Sequence, residues 1–443
     1  MSSFTISEGI TFFPKERIIC STCTNEYELY LENYVENRFG SAEDLNVYDN
    51  KFFPNDDVKG DNIYPSAGGI CLTESCQLRC NYCSFSSGES NVTTSFEEIK
   101  VFVDFLIRNS IIKRMVNHEE YPLRIVITGG GEPTYKWEEF VYAVEYIKEK
   151  CSKNNIHYYI NTTTNGIINE KQIKYLIDNI NFIMVSFDGI PAIQNKNRRK
   201  ANGSETAEIV ARTLKILDDE DANFSIRTTI WPEDYYYINE MADFILSNYK
   251  NVKEWDIEPI IPRGRAIQHN SLESENRFVG SNFSRYFIGA KKHIINHNYN
   301  DVLSCSKFTS VTCGTIYGFH PWLIPNGKVV TCQDAKEKAI QIGRIDNGKY
   351  IPNNFHDNYA KICKEASTKC STCFAYGLCL SGCPLKYLNT ESCETAKIEC
   401  DMIRAYWKNI LVNLVENNEY LGFKLEEIET IGETKIFRME EVS

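Results

Sequence analysis

Six short apolar runs, beginning near Ile70, Leu123, His157, Phe182, Phe224 and Trp255, alternate with helical stretches across residues 66–265. This alternation constrains the fold more than any other feature of the chain. The helical stretches include Phe96 to Asn109, Trp137 to Lys150, Glu170 to Asp178 and Glu205 to Asp218. Strands joined by such helices run parallel, with the helices packed outside. Six repeats fall short of a full eightfold closure, so the expected class is α/β, an open, partial (β/α)6 TIM-like barrel with its functional groups at the C-terminal ends of the strands. At 443 residues the chain is too long for one core and calls for further units.

Cysteines supply the second constraint. The chain has 17, and ten of them fall into two groups. The front group, Cys76, Cys80 and Cys83, has the spacing C-x3-C-x2-C just after the first apolar run. The back group is Cys313, Cys332, Cys370, Cys373, Cys379, Cys383 and Cys400. A 4Fe-4S cube normally takes four thiolates, so a triplet leaves one iron open to a small ligand. Tetrahedral zinc usually draws its ligands as two spaced pairs, which a lone triplet matches poorly. No charged-then-apolar signal segment opens the sequence, so the thiols read as reduced groups in a cytoplasm rather than as disulfides. No apolar run is long enough to span a bilayer. The net charge of -12 argues against a phosphate-backbone partner, so neither membrane nor nucleic acid is expected.

In order along the chain, the cysteine triplet is followed by Gly130-Gly131-Glu132-Pro133 at the end of the Leu123–Thr128 run. Thr162-Thr163-Thr164-Asn165-Gly166, Ser186-Phe187-Asp188-Gly189 and Arg227-Thr228-Thr229 close or occupy later strands. Taken together these motifs resemble the radical S-adenosylmethionine superfamily. The resemblance implies that the open iron chelates S-adenosylmethionine and splits it to a 5′-deoxyadenosyl radical that removes a hydrogen atom from substrate. It also implies cofactor contacts from Tyr82, Gly130, Gly131, Glu132, Pro133, Asn165, Ser186, Arg198 and Arg227. Glycines admit close backbone approach, and a carboxylate at a strand end can hold an ammonium group. Asn165 and Asp188 equally suit plain turn roles in Asn-Gly and Asp-Gly pairs. Arg199 stands beside Arg198 and leaves the register of that arginine open. Glu258-Pro259 and Gly264-Arg265 also look like family positions that close the site, though Glu258 equally suits a buried structural role.

The back group, with Cys313-Gly314, Gly327 five positions before Cys332, then C-x2-C-x5-C-x3-C from Cys370 and finally Cys400, resembles the SPASM extension of the same superfamily. The resemblance implies two auxiliary 4Fe-4S clusters, three clusters in all. Cys313, Cys332 and Cys383 hold one, with Cys305 available as its fourth ligand; otherwise that iron stays open to another donor. Cys370, Cys373, Cys379 and Cys400 complete the other, with Cys393 a competitor of Cys400. A pair of zinc sites is the plain alternative for this region. Cys20, Cys23, Cys71, Cys151 and Cys363 fall outside every motif and read as small buried side chains.

The expected organisation is an N-terminal segment over 1–65, a partial version of a peptide-recognition module with a short helix in Tyr27–Val35; the barrel over 66–265; a bridge over 266–300; a small cysteine-rich iron-sulfur domain over 301–415; and a charged C-terminal tail over 416–443. Phe278 to Asn296 reads as helix. Trp322 to Cys332 reads as a hairpin about Asn326-Gly327. A further helix passes through Trp407, Ile410, Leu411 and Leu414. Relatives with this extension mostly modify peptides, so the resemblance points to a maturase of a ribosomally made precursor that forms a thioether or carbon-carbon crosslink, fed by a flavodoxin- or ferredoxin-type donor. The alternative is an anaerobic sulfatase-maturating enzyme that makes formylglycine from Cys or Ser. That subfamily places an aspartate base directly after the cysteine equivalent to Cys332; here Gln333 stands there and Asp334 follows. Asp334 is the candidate base in either reading, with a solvated loop aspartate the plain alternative.

Overall fold

Three short strands at the N-terminus, β1 (Phe4–Ser7), β2 (Ile10–Phe13) and β3 (Ile18–Ser21), pair antiparallel with one another and belong with the far end of the chain. They come from a computed structural model that describes residues 4–7, 10–13, 17–21, 65–118, 122–260, 264–268, 280–308, 320–333, 341–353, 373–379, 393–431 and 434–441. The helix expected over 27–35 lies outside the described residues.

The barrel follows the alternation in the sequence. Strands β4 (Ala67–Cys71), β5 (Leu123–Thr128), β6 (Tyr158–Thr164), β7 (Phe182–Ser186), β8 (Phe224–Ile230) and β9 (Glu254–Pro259) pair in sequence order, each parallel to the next. The helices between them are α1 (Phe96–Asn117), α2 (Trp137–Lys153), α3 (Glu170–Asn179), α4 (Pro191–Asn197), α5 (Ala207–Asp219) and α6 (Ile238–Asn248). Their inner faces, such as Phe102 and Leu106 of α1, Phe140 and Val144 of α2, and Leu214 of α5, are buried with Ile125, Ile160, Val185 and Ile226 of the strands. Two helices start with reciprocal caps. Ser95 Oγ accepts from Glu98 N (3.3 Å) while Glu98 Oε2 accepts from Ser95 N (2.7 Å), and Asn169 and Gln172 repeat the pattern on α3. Helix α1 runs eight residues past the expected Asn109 because nothing breaks it before His118, which takes a left-handed conformation (φ 55°). Beyond β9 come α7 (Arg265–Gln268), α8 (Gly280–Asn296) and the short β10 (Leu303–Ser304), which adds to the β9 edge in parallel. Among the described residues no helix is long and apolar enough to cross a membrane.

At the opposite edge the sheet continues into the cysteine-rich half. Strand β11 (Trp322–Ile324) pairs parallel with β4, and β12 (Lys328–Val330), β13 (Gln341–Asp346) and β14 (Lys349–Pro352) follow antiparallel, giving an 11-stranded sheet. The expected hairpin is there. Asn326 (φ 69°) and Gly327 (φ 67°) both take the positive φ that a tight hairpin turn needs. At the junction, a Cβ on Gly69 would stand 2.1 Å from the Trp322 ring, so β4 accepts the indole only because it carries glycine there. Gly69→Ala is therefore expected to displace Trp322 and lower stability by about 2 kcal/mol or more, read as a fall in the thermal unfolding midpoint. An unchanged midpoint would show that the β4–β11 junction has slack.

The two ends of the chain meet in a second sheet. Helix α9 (Tyr376–Cys379) and the long α10 (Cys393–Asn417) lead to β15 (Glu419–Tyr420), β16 (Phe423–Ile431) and β17 (Thr434–Glu441), and β17 pairs antiparallel with β3. The result is a six-stranded sheet in the order β1-β2-β3-β17-β16-β15. Segments assigned to a separate N-terminal module and to an uninformative tail thus share one sheet, with Ile19, Ile436, Phe437 and Met439 buried between them. The alternation Phe423-Lys424-Leu425-Glu426 is the strand signal that the many charges of this stretch obscured. Met402, Trp407, Ile410 and Leu414 of α10 are buried in the core.

Candidate active site

The cysteine triplet sits in the loop from β4 to α1, and the loop is stitched to the end of β5 and to the C-terminal end of α4. Leu72 N donates to Thr128 O (2.7 Å), Gly131 N to Thr73 O (2.8 Å) and Glu132 N to Ser75 O (2.8 Å). On its other side Arg79 N donates to Arg199 O (2.8 Å) and Asn81 N to Asn197 O (3.0 Å). Cys76, Cys80 and Cys83 are free thiols of intermediate exposure. Several donors aim at their sulfurs: Leu78 N and Asn165 Nδ2 at Cys76 Sγ (3.4 and 3.8 Å), Ser87 N at Cys83 Sγ (3.4 Å). Burial pushes the Cys76 thiol up to about 12, with Glu132 adding to the effect, and pushes Cys80 up to about 11 against the pull of Arg198. Cys76 and Cys80 are therefore protonated at neutral pH until a metal displaces the protons. Among the described residues no three Cys, His, Asp or Glu side chains converge on one metal ion. Three thiols on one loop, with N–H donors at two of the sulfurs and two arginines near the third, suit an iron-sulfur cluster, whose sulfurs are tuned by such hydrogen bonds.

The glycines after β5 bring that strand end against the loop. A Cβ on Gly131 would lie 2.0 Å from Ser75 O, so the two backbones touch. Gly130 N donates to Cys71 Sγ (2.8 Å), and Ser87 Oγ bonds Gly130 O. Glu132, expected to face an ammonium group, is 1% exposed and turned into the protein. Its Oε1 accepts from Thr134 N (3.1 Å), Thr134 Oγ1 (2.6 Å) and Thr164 Oγ1 (2.9 Å), and its Oε2 from Asn165 N (2.6 Å). Burial raises the carboxyl's pKa, and these four donors oppose the rise. Pro133, buried, starts the next turn. Glu132 thus welds the ends of β5 and β6 together. Asn165 combines both expected roles: its Oδ1 accepts from Ile167 N (3.0 Å) within the turn, while its amide faces Cys76.

Tyr82, between the second and third cysteines, enters a buried network. Its hydroxyl donates to the Asp188 carboxylate (2.7 Å) and accepts from Arg198 Nη1 (2.8 Å). Asp188 is fully buried; burial pushes its carboxyl up to about 6, and the Arg198 guanidinium at 4.0 Å pulls it back. Arg198 therefore points inward, whereas Arg199 is spent on Asn195 O and Gly203 O at the surface. Asp188, which read equally well as a turn residue, is the acceptor that joins Tyr82 to Arg198. Ser186 and Arg227 stand in register on β7 and β8, and Arg227 Nε donates to Asp256 Oδ2 on β9 (2.8 Å). Glu258 is half-buried, not buried as its structural alternative expected, and accepts from Ser306 Oγ at an exposed contact.

In the back half, Cys332 follows β12 at intermediate exposure. Cys373 precedes α9, Cys379 is its last residue, and Cys400 lies on α10. Arg404, one turn beyond Cys400, bonds both Asp401 and Cys373, bringing Cys373 to the α10 face that carries Cys400. Cys305 is 3% exposed and packs in the main core with Phe308. Cys313, Cys370, Cys383 and Asp334 lie outside the described residues, as does the placement of the Cys393 side chain. Sequence reasoning missed Thr134 and Thr164, which lock Glu132, and Asn81, whose Oδ1 accepts from Trp231 Nε1 (3.1 Å). A lone Thr or Asn carries no motif, so only the Glu132 and Tyr82 positions pointed their way.

Comparison with known proteins agrees with this geometry. The Radical SAM superfamily matches residues 70–245, the span from β4 into α6. A cysteine-type anaerobic sulfatase-maturating enzyme of Clostridium novyi is 25% identical over 80% of this chain and 96% of its own, and its counterpart in Clostridium perfringens 22% over 72% and 87%. The structure of native anSMEcpe with bound AdoMet superposes with a TM-score of 0.59 at 18% identity, covering 79% of this chain and 99% of that one. Streptococcus suis SuiB bound to the precursor peptide SuiA gives 0.52 at 13% identity, covering 82% and 84%. Residues 70–245 thus carry a radical SAM domain, the family whose chemistry uses S-adenosylmethionine and a 4Fe-4S cluster.

Proposed function

We propose that the enzyme oxidises a side chain within a peptide or protein substrate. Cys76, Cys80 and Cys83 hold the cluster that engages S-adenosylmethionine, and Cys332, Cys373, Cys379 and Cys400, with Cys313, Cys370 and Cys383, hold two auxiliary clusters. When bound, these groups supply a hydrogen-atom abstractor and an acceptor for the electron left on the substrate. The chain's own residues position and exclude water. Gly130 and Gly131 would admit the cofactor to the backbone, Ser186 and Arg227 would face its carboxylate, and Tyr82 is held by Asp188 and Arg198 beside the cysteines. What supports the oxidative reading is the second group of cysteines, with Cys332 after β12, Cys373 and Cys379 at α9 and Cys400 on α10. The cytoplasm, where thiols stay reduced and a flavodoxin- or ferredoxin-type donor is at hand, is the fitting compartment.

One product of such an oxidation is a thioether or carbon-carbon crosslink in a ribosomally made precursor. A second, formylglycine, is favoured by the curated relatives, which are named as cysteine-type sulfatase-maturating enzymes. Against it, Gln333 follows Cys332 directly, and an amide cannot serve as a base. Anaerobically reconstituted protein, incubated with S-adenosylmethionine, a reductant and peptides from neighbouring small reading frames or sulfatases, distinguishes the two by mass. A crosslink removes two hydrogens; formylglycine made from cysteine removes sulfur and two hydrogens and adds one oxygen, and formylglycine made from serine, which also loses two hydrogens, is told from a crosslink by trapping its aldehyde with a hydrazide. Formation of 5′-deoxyadenosine with no mass change in any peptide would sink the peptide-oxidation reading.

A further inference from the structure

Two guanidinium groups grip the cysteine loop by its carbonyls, and neither belongs to the expected cofactor contacts. Arg79, inside the loop, donates from Nη1 to Cys76 O (2.9 Å) and Leu78 O (2.8 Å) and from Nη2 to Gly88 O (2.7 Å). Arg265 reaches in from the far edge of the barrel. Its backbone N donates to Cys83 O (3.0 Å), its Nη1 to Cys80 O (3.2 Å) and its Nη2 to Ser87 O. The approach is at contact distance. Gly264, at φ +53°, would place a Cβ 2.4 Å from Cys83 O. The carbonyls of all three cysteines thus accept from one or other arginine. A peptide whose neighbouring carbonyls are drawn outward keeps its N–H directed inward, and Leu78 N and Ser87 N do point at Cys76 Sγ and Cys83 Sγ.

We infer that Arg79 and Arg265 are positioning residues that preshape the cysteine loop for its cluster and, by their charge, favour the cluster's reduced state. The inference rests on the reading that the three cysteines hold that cluster. A loop of metal ligands is ordered either by the metal or by the protein around it. Here six loop carbonyls, those of Cys76, Leu78, Cys80, Cys83, Ser87 and Gly88, are already engaged by the two residues. Partners outside the ligand shell orient ligands and tune the metal, and three thiolates on an iron-sulfur cube leave net negative charge for a nearby cation to offset. Arg265 also leads out to Glu89 (3.1 Å), so its charge is anchored on the solvent side as well.

The test uses the full chain, reconstituted anaerobically, as wild type, Arg265→Gln, Arg265→Lys and Arg79→Gln. Iron release to an excess of a ferrous chelator is followed with and without S-adenosylmethionine, and the fraction that S-adenosylmethionine protects reports the front cluster. That fraction is expected to leave about tenfold faster from Arg265→Gln. Its electron paramagnetic resonance signal, identified by its response to S-adenosylmethionine, is expected to titrate at a more negative potential. Arg265→Lys keeps the charge and loses the fork, so it should release iron faster while titrating close to wild type; it also serves if the glutamine variant does not fold. Wild-type release rates and potentials in the variants would overturn the inference. A wild-type chain that takes up no protectable iron would instead overturn the cluster reading beneath it.

Discussion

Replacing Cys80 with alanine is expected to stop 5′-deoxyadenosine formation, by about a thousandfold or more, because the bond-breaking chemistry is the cofactor's and its holder is lost. The fold should survive. None of the bonds that stitch the loop, Leu72 to Thr128, Gly131 to Thr73, Glu132 to Ser75 or Asn81 to Asn197, passes through the Cys80 sulfur. Removing one half-buried thiol costs about 1 kcal/mol, so the metal-free variant should unfold within a few degrees of the parent. The matched control is Cys151→Ala, which removes a buried thiol from α2 at a distance from the loop. It should keep its iron and its turnover. Liquid chromatography of 5′-deoxyadenosine and an iron assay check both variants. Turnover by Cys80→Ala near the parent rate would mean that this loop does not hold the working cluster.

The barrel and its strand-end motifs were legible because hydrophobic period and motif order are local properties of the chain. Every barrel strand begins within about three residues of its expected start, and Asn326-Gly327 makes its turn. What the sequence hid were the long-range decisions. Whether Glu132 faces a ligand or the protein depends on Thr164 and Asn165, over 30 residues away, and the structure turns it inward. Arg198 and Arg199 are equivalent on paper, yet only the first can reach Tyr82 and Asp188. The pairing of β3 with β17 joins positions more than 400 residues apart, and no local signal announces such a partner. Short alternating strands of mixed charge are also the weakest pattern to read, because half of each strand faces water.

Gly131→Ala is expected to disrupt the site more than any other single methyl added to it. The new Cβ would lie 2.0 Å from Ser75 O and 2.6 Å from Ser75 C, and backbone atoms cannot swing aside as a side chain does. The strand end must therefore retreat, breaking Gly131 N to Thr73 O and Glu132 N to Ser75 O, both 2.8 Å. Two bonds lost at buried groups cost about 2–4 kcal/mol together. The damage then passes along Glu132, since its carboxylate fixes Thr164 and Asn165, and Asn165 in turn faces Cys76. Iron uptake should fall with stability. Gly130→Ala is the internal comparison: its Cβ would meet only the Phe85 ring at 3.4 Å and Cys71 Sγ at 3.6 Å, ordinary packing distances. Thermal unfolding of the metal-free variants should separate the two by several degrees. Equal midpoints would show that the loop and the strand end are not in backbone contact, and the coupling from Gly131 through Glu132 to Cys76 would fall with it.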